Sequence, residues 1–304
     1  MKPARERIVT APDGWRLSVI DLECDEPWAL AIVGHAMMVD RRTVYRADRT
    51  SLAGTLRDAG MRVLVPDQRG HGASRSDASG PGASWTYDEL VSDVGVYLEL
   101  ARALAPSLPV VLVGNSLFGH VALSYLGMHP DTPVTAVVGF AVNIWNRRWT
   151  ASRARWWTKR ALLAASVPVV TGLGYLPVRR LGLGSEDEPR DYWRSMWRWV
   201  PGNRWDGDDG TDYAALLPRV RARVLVVVSD GDRLLSHPDD ALLFTRALPS
   251  REVVRLGPQC AVETLRSLAP GHVEMVASPR CAPLWQYVAH WINAGRLDGH
   301  GPQG

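Results

Sequence analysis

Along the chain, short apolar runs alternate with longer stretches whose apolar positions recur at helical spacing. Trp28 to Val33, Met61 to Val65, Val110 to Val113, Val134 to Phe140, Leu225 to Val228 and Glu252 to Leu256 read as strands. The uninterrupted apolar character of runs such as Val110-Val111-Leu112-Val113 suits strands covered on both faces. Glu6 to Thr10 and Trp15 to Leu22 read as two more strands about the turn Pro12-Asp13-Gly14. Arg42 to Ala59 has helical spacing (Val44, Ala47, Leu52, Leu56) and stops at Gly60. Tyr87 to Leu104 and Pro283 to Ala294 read as helices, Ser76 to Ser84 as a Gly/Ser/Ala loop, and 297–304 as a flexible tail. Strands alternating with helices predict an α/β fold with a mostly parallel sheet flanked by helices on both faces. No internal repeat is visible.

Asn143 to Leu217 breaks the alternation. It reads as helical and holds Trp145, Trp149, Trp156, Trp157, Trp193, Trp197, Trp199 and Trp205, more than half of the chain's 13 tryptophans. Its first half carries Arg147, Arg148, Arg153, Arg155, Lys159, Arg160, Arg179 and Arg180 and no acid. Its second half answers with Glu186, Asp187, Glu188, Asp191, Asp206, Asp208, Asp209 and Asp212. An insertion between two sheet strands must pack on something, and the top of the sheet is the natural place. The expected division is therefore a core of 1–142 and 218–296 with a helical cap of 143–217. Most of the tryptophans are expected to pack this cap onto the core. Indole walls could also hold a bulky, largely apolar substrate, and a basic amphipathic cap is compatible with contact to a lipid surface.

Composition narrows the classes. The 304 residues are 46% hydrophobic and 22% charged, which describes a globular chain with a sizeable core. Lys and Arg (35) nearly balance Asp and Glu (32), so nothing demands a nucleic-acid partner. Cys24, Cys260 and Cys281 are too widely spaced for a metal site or a disulfide framework and read as small buried thiols. The start, Met1 to Arg7, lacks the apolar core of a signal peptide, and no apolar run reaches the ~18 residues that a membrane span needs. These features read as a cytoplasmic protein acting on a small molecule, without metal or cofactor and with its oligomeric state open.

The chemistry centres on Val110 to Leu123. The strand-like run turns through Gly114-Asn115-Ser116 and continues as a helix-forming pattern. A serine on such a turn has its hydroxyl pushed out beside helix N-terminal amides, the nucleophile-elbow arrangement. The spacing here is G-x-S-x-x-G, with Phe118 where a small residue is usual and Gly119 after it. A plain strand–Gly–helix joint capped by Ser116 is the alternative. A serine nucleophile needs a base, and the base an acid to orient it. The acid should follow a later strand. Ser229-Asp230-Gly231-Asp232 offers two candidates; Asp232 is preferred because the preceding Gly lets the loop bend back, with Asp230 as the alternative. The base should lie on a loop before the last helix, where His272 fits in Gly271-His272-Val273. Oxyanion donors are expected from Leu117 N–H, directly after the serine, and Met37 N–H, in Gly34-His35-Ala36-Met37 after an earlier strand. His35, Phe118, Trp145 and Trp149 are the candidates for substrate contact, although His35 is expected to brace its loop rather than react.

Taken together, these pieces resemble the serine α/β-hydrolase superfamily, esterase- or lipase-like and with a helical cap. The matching segments are Gly34-His35-Ala36-Met37, Asp67-Gln68-Arg69-Gly70-His71-Gly72, Gly114-Asn115-Ser116-Leu117-Phe118-Gly119, Ser229-Asp230-Gly231-Asp232 and Gly271-His272. The resemblance implies an eight-stranded α/β-hydrolase core with a cap after the sixth strand, and supports Asp232 over Asp230. It implies hydrolysis of a carboxylic ester or lactone through a Ser116–His272–Asp232 triad and an acyl-enzyme. Acyl transfer or thioester cleavage, a natural-product lyase or cyclase, and a non-catalytic binding protein are the alternatives on the same scaffold. Relatives that dehalogenate alkyl halides or open epoxides use Asp as nucleophile, and Ser116 argues against both.

Overall fold

The computed structural model describes residues 3–75 and 84–297. The apolar runs become β1 (Arg5–Thr10), β2 (Arg16–Leu22), β3 (Ala29–Gly34), β4 (Met61–Pro66), β5 (Val110–Asn115) and β6 (Val134–Phe140). β7 (Tyr175–Leu176) and β8 (Glu188–Pro189) pair only with each other. β9 (Arg223–Ser229) and β10 (Arg251–Leu256) then complete an eight-stranded sheet of order β1-β2-β4-β3-β5-β6-β9-β10. The pairs β1–β2 and β2–β4 are antiparallel. Every other pair in it is parallel. Gly34 pairs with Gly114 and Asn115 with Phe140, so β3, β5 and β6 end level with one another.

The parallel strands are buried on both faces because alternate residues feed two cores. Ile32, Leu112 and Val226 join one core with Leu90 and Val94 of α2 (Tyr87–Leu104) and Val121 of α3 (Leu117–Met128). Val33, Val113 and Val227 join the other with Leu52 and Leu56 of α1 (Leu52–Asp58) and Leu284 and Val288 of the last helix, α8 (Ala282–Leu297). α2 begins where the sequence predicts because Thr86 and Glu89 form a reciprocal capping box at its start.

Two expectations need correction. Arg42 to Ala59 is not one helix. A 3-10 turn, Arg41–Thr43, is capped by Asp40, and α1 begins only at Leu52, where Ser51 Oγ accepts from Gly54 N. Local side-chain capping competes with helix continuation there, and Ala47, one of the four periodic positions, is exposed. The segment 143–217, between β6 and β9, is not wholly helical either. It contains α4 (Arg153–Leu173), the β7–β8 hairpin, α5 (Arg190–Gly202) and α6 (Tyr213–Leu216). α5 buries Tyr192, Trp193, Met196, Trp199 and Val200 on one side. α4 buries only Trp156, Lys159, Leu163 and Val170. The Lys159 ammonium lies 2.9 Å from Asp240 of α7 (Pro238–Phe244), with both side chains fully buried. Asp240 also accepts from Arg155 and from Ala151 N, so one carboxylate ties α4 to the sheet's flank. The expected loop over 76–84, apart from residue 84, and the tail after 297 lie outside the described residues.

Candidate active site

Ser116 stands between β5 and α3 with φ +48° and ψ −103°, a conformation that costs a non-glycine residue about 1–3 kcal/mol. Three contacts hold it there. Ser116 N donates to Phe140 O (2.8 Å), and His120 N donates to Ser116 O (3.1 Å). A Cβ on Gly114 would lie 2.5 Å from Gly119 N, so strand and helix meet backbone to backbone. The displaced second glycine of the sequence is thus the one the crossing uses. Phe118 turns the other way. Its ring fills the space where a Cβ on Gly34 would sit and is buried beneath the sheet.

Asp232 and His272 come together from two later loops. His272 Nδ1 lies 2.5 Å from Asp232 Oδ2, and Asp232 Oδ1 accepts from Ser236 N. Burial pushes the Asp232 carboxyl up, but the His272 ring and the amides of Ser236 and Leu235 outweigh it and hold the carboxyl below its ordinary value. Asp230 instead binds Arg255 Nε (2.8 Å). Gly231 serves the acid loop differently from the sequence argument. A Cβ there would lie 2.1 Å from Ala269 O, so glycine lets the His272 loop press against the acid loop. Ser229 Oγ donates to Pro270 O (2.6 Å), and Asn115 Nδ2 donates to His272 O (3.3 Å). Asn115 therefore joins the nucleophile turn to the base loop, a role its neighbours in sequence do not reveal.

Ser116 and His272 line one cavity of about 160 Å³, which exceeds the space of a single water and admits an organic group. Its walls include Met37, Trp145, Asn143, Trp193, Met196 and Leu235. Of the four expected substrate contacts, only Trp145 is in these walls. His35, Phe118 and Trp149 are not. His35 is fully buried and braces its loop, with Nδ1 donating to Ala36 O (2.7 Å) and Nε2 accepting from Gln68 N (3.0 Å). Burial, with the His71 charge adding to it, brings His35 down to about 3. Trp149 packs edge-on against Trp205 and Phe244. Two polar wall residues were not among the expected contacts. His120, brought down to about 3 by burial, bonds Tyr87 Oη (2.9 Å). Asn143 is buried with neither amide atom hydrogen-bonded.

The Met37 loop is gripped from the insertion. Met38, at φ +64°, donates its N–H to Glu188 Oε1 (2.5 Å). Met38 O accepts from Ser185 N (2.9 Å) and Glu186 N (3.1 Å). His71 donates Nδ1–H to Arg69 O and Nε2–H to Glu188 Oε1 (3.2 Å). Burial pushes the His71 pKa down, but the charge and hydrogen bond of Glu188 more than offset this and hold it above the ordinary 6.5. Leu117 N–H is the first amide of α3, among those a helix leaves free for an anion. Among the described residues no His/Cys/Asp/Glu cluster could hold a metal ion.

Residues 39–183 match the family model described as serine aminopeptidase, S33. That span includes Ser116 and ends before Asp232 and His272. Among curated proteins no match is found. Solved structures with a similar fold include Est1E from Butyrivibrio proteoclasticus with ferulic acid bound (TM-score 0.62, 14% identity, 96% of this chain and 99% of that one). An esterase, EaEST, from Exiguobacterium antarcticum is similar too (TM-score 0.62, 15% identity, 94% and 98%). So is the thioesterase domain from the curacin biosynthetic pathway (TM-score 0.57, 13% identity, 96% and 100%).

Proposed function

We propose that the chain, which has the α/β-hydrolase fold and matches the serine aminopeptidase S33 family model over residues 39–183, is a serine hydrolase that cleaves a carboxylic ester or lactone of a bulky, largely apolar small molecule. One observation carries this reading: a strained Ser116 faces the same cavity as His272, whose far nitrogen is bonded to buried Asp232.

His272 Nε2 takes the Ser116 proton as Oγ attacks the carbonyl carbon. Asp232 accepts from Nδ1–H, fixes the tautomer and stabilises the imidazolium that forms. Leu117 N–H and Met37 N–H receive the oxyanion. His272 returns its proton to the leaving oxygen, and the acyl group stays on Ser116. Water, deprotonated by the same ring, releases the acid. In this reading 143–217 is a cap over a core of 1–142 and 218–296, and its aromatic and aliphatic side chains in the cavity wall favour an apolar substrate.

A fluorophosphonate probe should label the wild-type chain at Ser116, and p-nitrophenyl esters should be turned over. Ser116→Ala should abolish labelling and lower kcat by roughly 10⁴–10⁶-fold. Labelling or turnover that persists in Ser116→Ala at the wild-type rate would refute the assignment. Product analysis with added alcohol separates hydrolysis from acyl transfer.

A further inference from the structure

α4 is exposed in a way its composition does not suit. After Arg160 its sequence runs Ala161 to Leu173 without a charged residue, and the charge-free stretch continues to Val178. A helix apolar on all sides is ordinarily enclosed. Here only one narrow stripe is buried, and Leu162 (51% exposed), Val169 and Leu173 (46%) stand in a row at i, i+7 and i+11 on an open side. The turn after β7 adds Leu181 (53%) and Leu183 (62%). Elsewhere among the described residues, large exposed apolar side chains are few, Ile8, Leu235 and Val253. Leu183, in that turn, also lines the cavity that holds Ser116, so the cavity reaches this apolar surface. Monomeric proteins rarely leave such a surface uncovered without a use for it.

The charges around it select the occupant. Arg153 and Arg160 precede the apolar stretch and Arg180 follows it; all three are exposed and have no carboxylate partner among the described residues, and helical spacing puts Arg153 and Arg160 at the opposite edge of α4's exposed side from the Leu162 row. A second copy of this chain meeting itself across a two-fold axis would bring these arginines against their own kind, which opposes association. An anionic lipid surface meets both features at once, with acyl chains for the leucines and headgroup phosphates for the guanidinium groups. No helix among the described residues is long and apolar enough to cross a membrane, so the contact is peripheral.

We propose that the exposed side of α4 and the Leu181–Leu183 turn seat on an anionic lipid surface, with the cavity mouth at the lipid boundary. The docking stands independently of the ester-hydrolase reading. That reading adds only that the substrate reaches Ser116 from the lipid phase.

The test is flotation of the full chain with vesicles of phosphatidylcholine, with and without a minor fraction of phosphatidylglycerol. The chain should float with the anionic vesicles and not with the neutral ones, and less so as salt rises. Arg160→Glu/Arg180→Glu should weaken binding by at least about 25-fold, roughly fivefold for each arginine lost. Leu162→Glu/Leu173→Glu should abolish it. All four side chains are exposed, and unchanged thermal unfolding checks that the variants fold. Absence of flotation, flotation that neither variant weakens, or a dimer that Leu162→Glu/Leu173→Glu dissolves in place of vesicle binding would each overturn the proposal. Fluorophosphonate labelling is read separately, so failure of docking and failure of the hydrolase reading cannot be confused.

Discussion

Ser116 occupies a backbone conformation that only its surroundings can impose. Phe140 O, His120 N and the Gly114–Gly119 contact impose it together. Ser116→Gly should therefore raise stability, by about 1 kcal/mol, while abolishing probe labelling; a urea titration reads the first effect. Asp232→Asn should lower kcat by roughly 10⁴-fold with the fold intact, because the ring would take the wrong tautomer. Asp230→Asn should leave kcat nearly unchanged, since its partner is Arg255. The Asp232 carboxyl also links stability to pH. Its folded value lies below the ordinary 3.8, so its contribution is complete above 3.8 and is lost as pH falls through the lower folded value. Thermal midpoints measured from pH 5 downward should thus fall less steeply in Asp232→Asn than in wild type. The candidates for this chemistry were legible because Ser116 and Asp232 follow strands, His272 lies on a loop before the last helix, and their order along the chain is constrained. Asn115 was not, because its value lies in reaching His272 O, 157 positions away. Phe118 was misread because periodicity cannot say on which side of the α3–β5 crossing a ring will lie.

Between elements, the connections that matter are few and charged. Lys159 and Asp240 join α4 to α7 with no solvent at either group. Removing one partner strands the other: Asp240→Ala should cost about 3–5 kcal/mol in chemical denaturation, whereas Lys159→Met/Asp240→Leu should cost far less. The bond between β8 and the Met37–Met38 loop is likewise built on a buried pair, His71 and Glu188. His35, 5.2 Å from the His71 ring, stays neutral, and Glu186 adds a second negative charge nearby. The His71 value is raised in the folded chain. Its stabilisation is therefore fully present below 6.5 and is lost as pH rises through the higher folded value. Thermal midpoints should decline with rising pH across that window in wild type, and the decline should flatten in Glu188→Gln. Strands and most helices were readable from apolar spacing, since burial on both faces leaves an unmistakable run. The Arg42 to Ala59 break and the β7–β8 hairpin were not. The first depends on one capping hydroxyl, and the second on two residue pairs.

At the scale of the whole molecule, the sheet makes a level platform and the segment 143–217 supplies much of the cavity wall. The platform was legible because alternation of strand and helix admits few topologies. How the insertion meets it was not, because Glu188 and Met38 are 150 positions apart and no local pattern marks the pair. Under the proposed reading, in which Met37 N–H receives the oxyanion, this long-range grip would tie admission to readiness. If the hairpin swings aside to let in something large, Met38 loses three hydrogen bonds at once and its neighbour's amide drifts from aim. The molecule is then a latch that arms only on shutting. Bulky esters should slow in proportion to added viscogen, while small acetates that slip in without such a swing should keep their pace.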